Sequence, residues 1–240
     1  MKPRQPFQTG FTLTELLVVI GILAVLAMLA FPAQRLFRQH ALDNGCLTNL
    51  RATGMALVQY LADHQGEFLP TKYWYSRLST AESPGIRDYL GSTSTAKSTS
   101  TVYHHDSVLT CPVLKQKAPQ KFPSMLNRCY SMNPFLIRKD INKPDDPEAG
   151  PNPGSPQRLV NVPSVAKMWA FTDGSGKLSD TSEFGTVCSV AHVNNDNLSY
   201  PHDGKQHFVF LDGHVERLTR EELRSKLNDR SFWGDLRMPQ

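Results

Sequence analysis

Residues 16–31 read LLVVIGILAVLAMLAF, and no side chain among them carries a charge. Nothing else in the chain is as apolar, so this stretch must find lipid, a core or another chain to cover it. A single acid, Glu15, stands at its N-terminal edge. Before it lies a ten-residue leader, MKPRQPFQTG, with Lys2 and Arg4 and no acid. Residues 11–33 are predicted to form a helix. At about 1.5 Å per residue it is long enough to cross a hydrocarbon core of about 30 Å. Glu15 then enters at or just inside the boundary. A carboxylate at helix-centre depth costs roughly 2.5–3.5 kcal/mol, so the acid requires a partner or a function. A secretory signal peptide accounts for the leader and the apolar run, but no Ala-x-Ala pair follows, and an acid at that junction is unusual. A plain signal anchor accounts for the run and places Lys2 and Arg4 in the cytoplasm. It leaves Gly10-Phe11, with an acid four residues on, unexplained.

Gly10-Phe11-Thr12-Leu13-Thr14-Glu15-Leu16 resembles the class III signal of type IV prepilins and type II secretion pseudopilins. The resemblance implies cleavage after Gly10 by a membrane-embedded prepilin peptidase and methylation of the new N-terminus, Phe11. It implies that Glu15 pairs with the N-terminal amine of a neighbouring subunit during assembly. A buried charge is tolerable when an opposite one lies beside it. Pro32 falls where many pilins also carry proline. A proline there removes one backbone donor and kinks or loosens the helix.

With 240 residues, the chain has length for one good-sized domain beyond the helix, or two small ones at most. Net charge is +4, and it falls to +2 once Lys2 and Arg4 leave with the leader. The remaining charges are mixed in sign with no basic block, which gives nucleic-acid binding no support. Cys46, Cys111, Cys129 and Cys188 all follow the apolar run. In an exported head they meet an oxidising compartment, and four cysteines allow three complete pairings. Cys111–Cys129 is the favoured pair, because its short separation staples a loop-rich region. Cys46, mid-helix, reads equally well as a small buried apolar residue.

From residue 34 to about 66 the helical pattern continues. Leu47, Leu50, Gly54, Leu57 and Leu61 form one narrow stripe. Asp43-Asn44-Gly45 is a weak point, since glycine costs about 1 kcal/mol against alanine in a helix interior. Gly66 and Pro70 end the rod. Cys46-x-x-Asn49-Leu50, Gly54-x-Ala56, Tyr60, Gly66 and Pro70 resemble the helix of a large pilin-like family of planctomycetes, verrucomicrobia and their relatives, named for a C-terminal His-x9-Asp-Gly motif. The segments around Cys111-Pro112 and Tyr130-Ser131-Met132-Asn133 resemble the same family, with tyrosine and serine in reversed order.

Residues 71–90 read as short helices or turns packing Trp74, Ile86, Tyr89 and Leu90. Residues 91–101 (GSTSTAKSTST) and 141–156 (INKPDDPEAGPNPGSP) read as surface loops. Residues 108–112, 158–163 and 167–173 are predicted strands. Residues 208–211 and 214–218 flank Asp212-Gly213 as a hairpin, the pair that favours a two-residue type I′ turn. Thr219-x-x-Glu222 is a capping box opening a short helix.

His202, nine residues, then Asp212-Gly213 matches the family motif. Three readings compete. In the first, His202 bonds a backbone group and Asp212 is a turn residue. In the second, His202, His207, His214 and Asp203, with His192 and Asp212 nearby, hold a metal. Imidazole and carboxylate suit zinc, although alternating strand faces let only two or three converge. Some pseudopilins bind calcium in a C-terminal loop, a role that the Asp196 and Asp203 region resembles loosely. The third, a hydrolase using His202 and Asp212, lacks any nucleophile motif.

The expected fold is α+β and pilin-like. It comprises a cleaved leader (1–10), a transmembrane and assembly helix (11–33), an amphipathic continuation (34–66) and a globular head with an antiparallel sheet (67–240). The resemblance implies a structural subunit of a type IV pilus-like or type II secretion pseudopilus filament, with no enzymatic activity and no required cofactor. Its partners are then prepilin peptidase, other pilin subunits, an inner-membrane assembly platform and the bilayer. It sits in a bacterial inner membrane with the head in the periplasm, and later in a periplasmic or extracellular filament. The alternative is a single-pass anchored protein whose head binds metal or another ligand without polymerising.

Overall fold

The computed structural model describes residues 12–69, 86–90, 108–121, 129–137, 156–179 and 188–238, without the side chains of 29–33, 35, 36, 87 and 88. Gly10, Phe11, the leader, residues 70–85 and the loops at 91–101 and 141–155 lie outside these residues.

One helix, α1 (Leu13–Asp63), accounts for both helical stretches expected from the sequence, and it passes through Asp43-Asn44-Gly45 without a break. Gln65 and Gly66 adopt positive φ, and Gly66 N–H bonds Leu61 C=O at 2.7 Å. That six-to-one bond closes the helix as a Schellman motif does. The chain divides into two compact units, Met1–Ala41 and Leu42–Gln240.

In the first unit the described large apolar side chains from Leu13 to Met28 are 46–80 % exposed. Among the described residues no helix is long and apolar enough to cross a membrane. The described side chains of the apolar run stop at Met28, and residues 29–33 continue it in the sequence.

The second unit is an α+β arrangement around a four-stranded antiparallel sheet in the order β1-β2-β3-β4, with β1 Tyr130–Met132, β2 Trp169–Asp173, β3 Lys205–Phe210 and β4 Val215–Thr219. Alternation sends neighbouring residues to opposite faces. Cys46, Leu50, Gly54, Leu57 and Leu61 of α1 are buried, while Leu47 at the stripe's edge is half-buried. The helix meets the face that carries Tyr130 and Val209, and Tyr130 Oη donates to Cys46 C=O at 3.2 Å. On the other face Trp169 packs edge-on against Phe208 and Trp233, with ring centroids 5.4 and 5.5 Å apart. Phe232 and Trp233 belong to α5 (Arg230–Trp233). With both faces covered, all five residues of β2 are buried, which is why its sequence reads as an apolar run.

Several expectations need correction. Residues 108–112 form a turn, not a strand, and Pro112 opens α2 (Pro112–Lys117). Proline's fixed φ suits the first helical position, and its missing N–H has no helical partner there to lose. Residues 158–163 contain a short 3-10 helix, Leu159–Asn161. Its valine and leucine have no neighbouring strand with which to alternate.

The disulfide is Cys46–Cys111, not Cys111–Cys129. Cys129 is a buried thiol outside the disulfide, and its sulfur accepts the Cys111 N–H at 2.8 Å. The two segments do lie together, but it is α1 that brings a sulfur to Cys111. The expected capping box is present: Thr219 N–H donates to Glu222 Oε2 at 2.8 Å, opening α4 (Arg220–Ser225).

Candidate functional site

The first candidate residue, Glu15, closes the start of α1. Glu15 Oε2 accepts from Thr12 N–H at 2.8 Å and from Thr12 Oγ1 at 2.7 Å. Thr12 and Glu15 stand three apart, as N-cap and N3 residues do, so the carboxylate satisfies donors that a helix start leaves free. Glu15 therefore has a partner inside its own chain. Pro32 lies within α1.

The second feature lies inside the globular unit. His202-Asp203-Gly204-Lys205 is a tight turn with both central residues at positive φ (50° and 78°), and His202 and Lys205 exchange backbone bonds of 3.3 and 3.0 Å. This is the two-residue turn that an Asp-Gly pair favours. The sequence reading put that turn at Asp212-Gly213, where the structure differs. Phe210 and His214 flank a three-residue loop, Gly213 N–H bonds Phe210 C=O at 2.9 Å, and only Gly213 has positive φ, at 88°. Three-residue hairpin loops place a left-handed residue at that third position.

The Asp203-Gly204 turn folds His202 back over β3. Its ring stacks on His207, with centroids 3.7 Å apart and planes at 17°. His207 and Val209 share the sheet face that meets α1. Asp173 ends β2 opposite Tyr130 on the same face. Asp43 comes from the first turn of α1 within this unit.

The contacts fall in a pattern. Asp173 Oδ2 lies 2.6 Å from His202 Nε2 and 3.4 Å from His207 Nδ1. Asp173 Oδ1 accepts the His207 backbone N–H at 3.2 Å. Asp43 Oδ1 lies 2.5 Å from His202 Nδ1 and 3.8 Å from His207 Nε2. Each imidazole thus turns one nitrogen to Asp173 and the other to Asp43. Asp173 and the His207 side chain are fully buried. Arg217 Nη2 holds Asp43 Oδ2 at 2.7 Å.

Apart from these charge contacts, His202 Nδ1 and both ring nitrogens of His207 have no hydrogen-bond partner among the described residues. Burial opposes protonation of His202, yet the carboxylates of Asp173 and Asp43 outweigh it and raise its pKa. Burial, helped by the charge of His202, pushes His207 down to about 4. Cys111 Sγ, within the disulfide, is 3.6 Å from His202 Nε2.

The sequence-derived metal set is only partly assembled. His202 and His207 come together. His214 stacks on Phe210 and bonds Asp212 Oδ1 at 2.5 Å in the β3–β4 loop. That loop lies at the far end of β3, about 20 Å along a six-residue strand. Asp203 is an exposed turn residue. His192 sits in α3 (Val190–Asn194) and bonds Ser189. Asp196 pairs with Arg220 at 3.0 Å. His202 and Asp212-Gly213 therefore frame β3 from its two ends and do not form one constellation. Sequence reasoning missed Asp43 and Asp173. The available signal was an acid ending an apolar strand at Asp173, and an acid one helical turn before a cysteine at Asp43.

A family model described as the prokaryotic N-terminal methylation motif matches residues 6–31. The match supports a prepilin-type N-terminus of the pilin and pseudopilin kind. No curated protein matches the chain, and neither does any solved structure.

Proposed function

We propose that this chain is a structural subunit of a type IV pilus-like or type II secretion pseudopilus filament, and a substrate of prepilin peptidase rather than an enzyme. The carrying observation is the start of α1. A methylation motif covers residues 6–31, and the described large apolar side chains from Leu13 to Met28 are exposed. Exposed apolar surface of that extent calls for a partner. Lipid covers it before assembly, in a bacterial inner membrane with the head in the periplasm. The helices of neighbouring subunits, gathered by an inner-membrane assembly platform, cover it afterwards. Cleavage falls after Gly10, Phe11 is methylated, and Pro32 loosens the helix where subunits pack. The narrower kinship with the His-x9-Asp-Gly group rests on the motif at His202 and Asp212-Gly213.

In this reading Glu15 has two successive partners. Thr12 satisfies it in the single chain, and the N-terminal amine of a neighbour replaces that contact on assembly. Glutamine at position 15 keeps a capping side chain but has no charge. Glu15→Gln is therefore expected to leave the membrane level of the protein unchanged and to lower the sheared-filament fraction in the native host at least tenfold, the effect of about 1.4 kcal/mol per contact. Glu15→Leu is expected to do the same. Filament yields from Glu15→Leu equal to the wild type would contradict the assembly role of Glu15, and a wild type that gives no sheared filaments would leave the chain a plain membrane anchor.

A further inference from the structure

We propose that Asp43, His202 and His207 form a binding site for one divalent transition-metal ion of the zinc class, with Asp173 as the carboxylate that orients both imidazoles. This goes beyond a filament role and does not depend on it.

The ligand atoms, one from each of the three residues, lie within 4.8 Å of one another. Zinc bonds to nitrogen and oxygen are about 2.0–2.2 Å, so neighbouring tetrahedral ligands sit roughly 3.3 Å apart. Asp43 Oδ1 is 2.5 and 3.8 Å from the two inward nitrogens, which brackets that spacing. Those nitrogens, His202 Nδ1 and His207 Nε2, are buried without hydrogen bonds among the described residues. Buried polar atoms are normally satisfied, and one ion would satisfy both.

The outer nitrogens follow the same logic. A metal-bound imidazole generally donates its second N–H to a carboxylate, which fixes the tautomer and the ring. Asp173 Oδ2 bonds His202 Nε2 at 2.6 Å and stands 3.4 Å from His207 Nδ1, where a turn of that ring would bring a second bond to the same buried acid. Arg217 takes Asp43 Oδ2 and leaves Oδ1 for the ion. With neutral imidazoles, two carboxylates and one guanidinium leave the cluster a net negative charge. The rings are stacked, so an ion in the plane of both requires one to rotate. His207, with no hydrogen bond to its ring, is the one that turns.

Two imidazoles favour zinc and its neighbours over calcium, which takes oxygen ligands. A rival trio, Cys46, Cys111 and His202, is equally close, but both of its sulfurs are joined in the disulfide.

The test uses the full chain purified in detergent without reductant, loaded with zinc, dialysed and assayed for metal by mass spectrometry. Cobalt substitution provides an absorption spectrum of the site. The wild type is expected to retain one equivalent of zinc. Asp43→Asn and His207→Gln are expected to bind at least about tenfold more weakly, with the far-ultraviolet circular dichroism unchanged, because each removes one ligand. Folded wild type that retains no zinc would overturn the proposal. So would unchanged zinc binding in both variants, or zinc that is lost only when Cys46 and Cys111 are replaced.

Discussion

Replacing Cys46 and Cys111 together with serine is expected to lower the stability of the globular unit by about 4 kcal/mol. The two cysteines lie 65 residues apart in sequence. In the chain-entropy account, opening a loop of that length returns about 14 cal/mol/K to the unfolded chain. The bond also holds α1 to the start of α2, where Val113 N–H reaches Cys46 Sγ at 3.4 Å. Denaturant unfolding monitored by tryptophan fluorescence reads the loss, since Trp169 and Trp233 are fully buried. Peptide mapping without reductant is expected to return Cys46 linked to Cys111, with Cys129 and Cys188 as thiols. A Cys111–Cys129 link in that map would contradict the structure. Burial holds the Cys188 thiol well above its usual range, so alkylation of the folded protein is expected to spare it.

The second large effect is expected at Asp173. Its carboxylate is fully buried and meets His202 Nε2, His207 Nδ1 and the His207 backbone N–H. Removing one partner of a buried charge pair generally costs about 3–5 kcal/mol, because the other is left without compensation. Asp173→Ala is expected to fall in that range by denaturant unfolding. Asp173→Asn keeps an oxygen for the His207 backbone N–H and is expected to lose less. Equal losses would mean that the charge matters and the hydrogen bond to the His207 backbone does not. Asp43→Asn, at the rim of the cluster, is expected to cost less than either, which is why it serves as the metal-binding probe.

What was legible in the sequence follows from the range of the forces involved. The apolar run, Glu15 at its edge and the helical stripe through Leu50, Leu57 and Leu61 are local patterns, and α1 follows them. Strands β2, β3 and β4 were readable because apolar residues cluster between turn residues. The two missed segments, 108–112 and 158–163, are short apolar pieces next to proline, which periodicity alone leaves ambiguous between strand and helix.

The cluster itself was only half visible. His202 and His207 stood out as histidines. Asp43, Asp173 and the sulfur partner of Cys111 come from elements that only tertiary packing brings together. The two Asp-Gly pairs show the same limit. Both mark turns, but loop length decides which is the two-residue turn, and loop length depends on the strand register. The tight one, Asp203-Gly204, is the one that swings His202 onto His207.

The central claim is that the chain is a processed prepilin-type subunit, and the intact mass of the protein extracted from its native membrane tests it most directly. A mature chain that starts at Phe11 and carries one added methyl group is the predicted result. A chain that still starts at Met1 would contradict it.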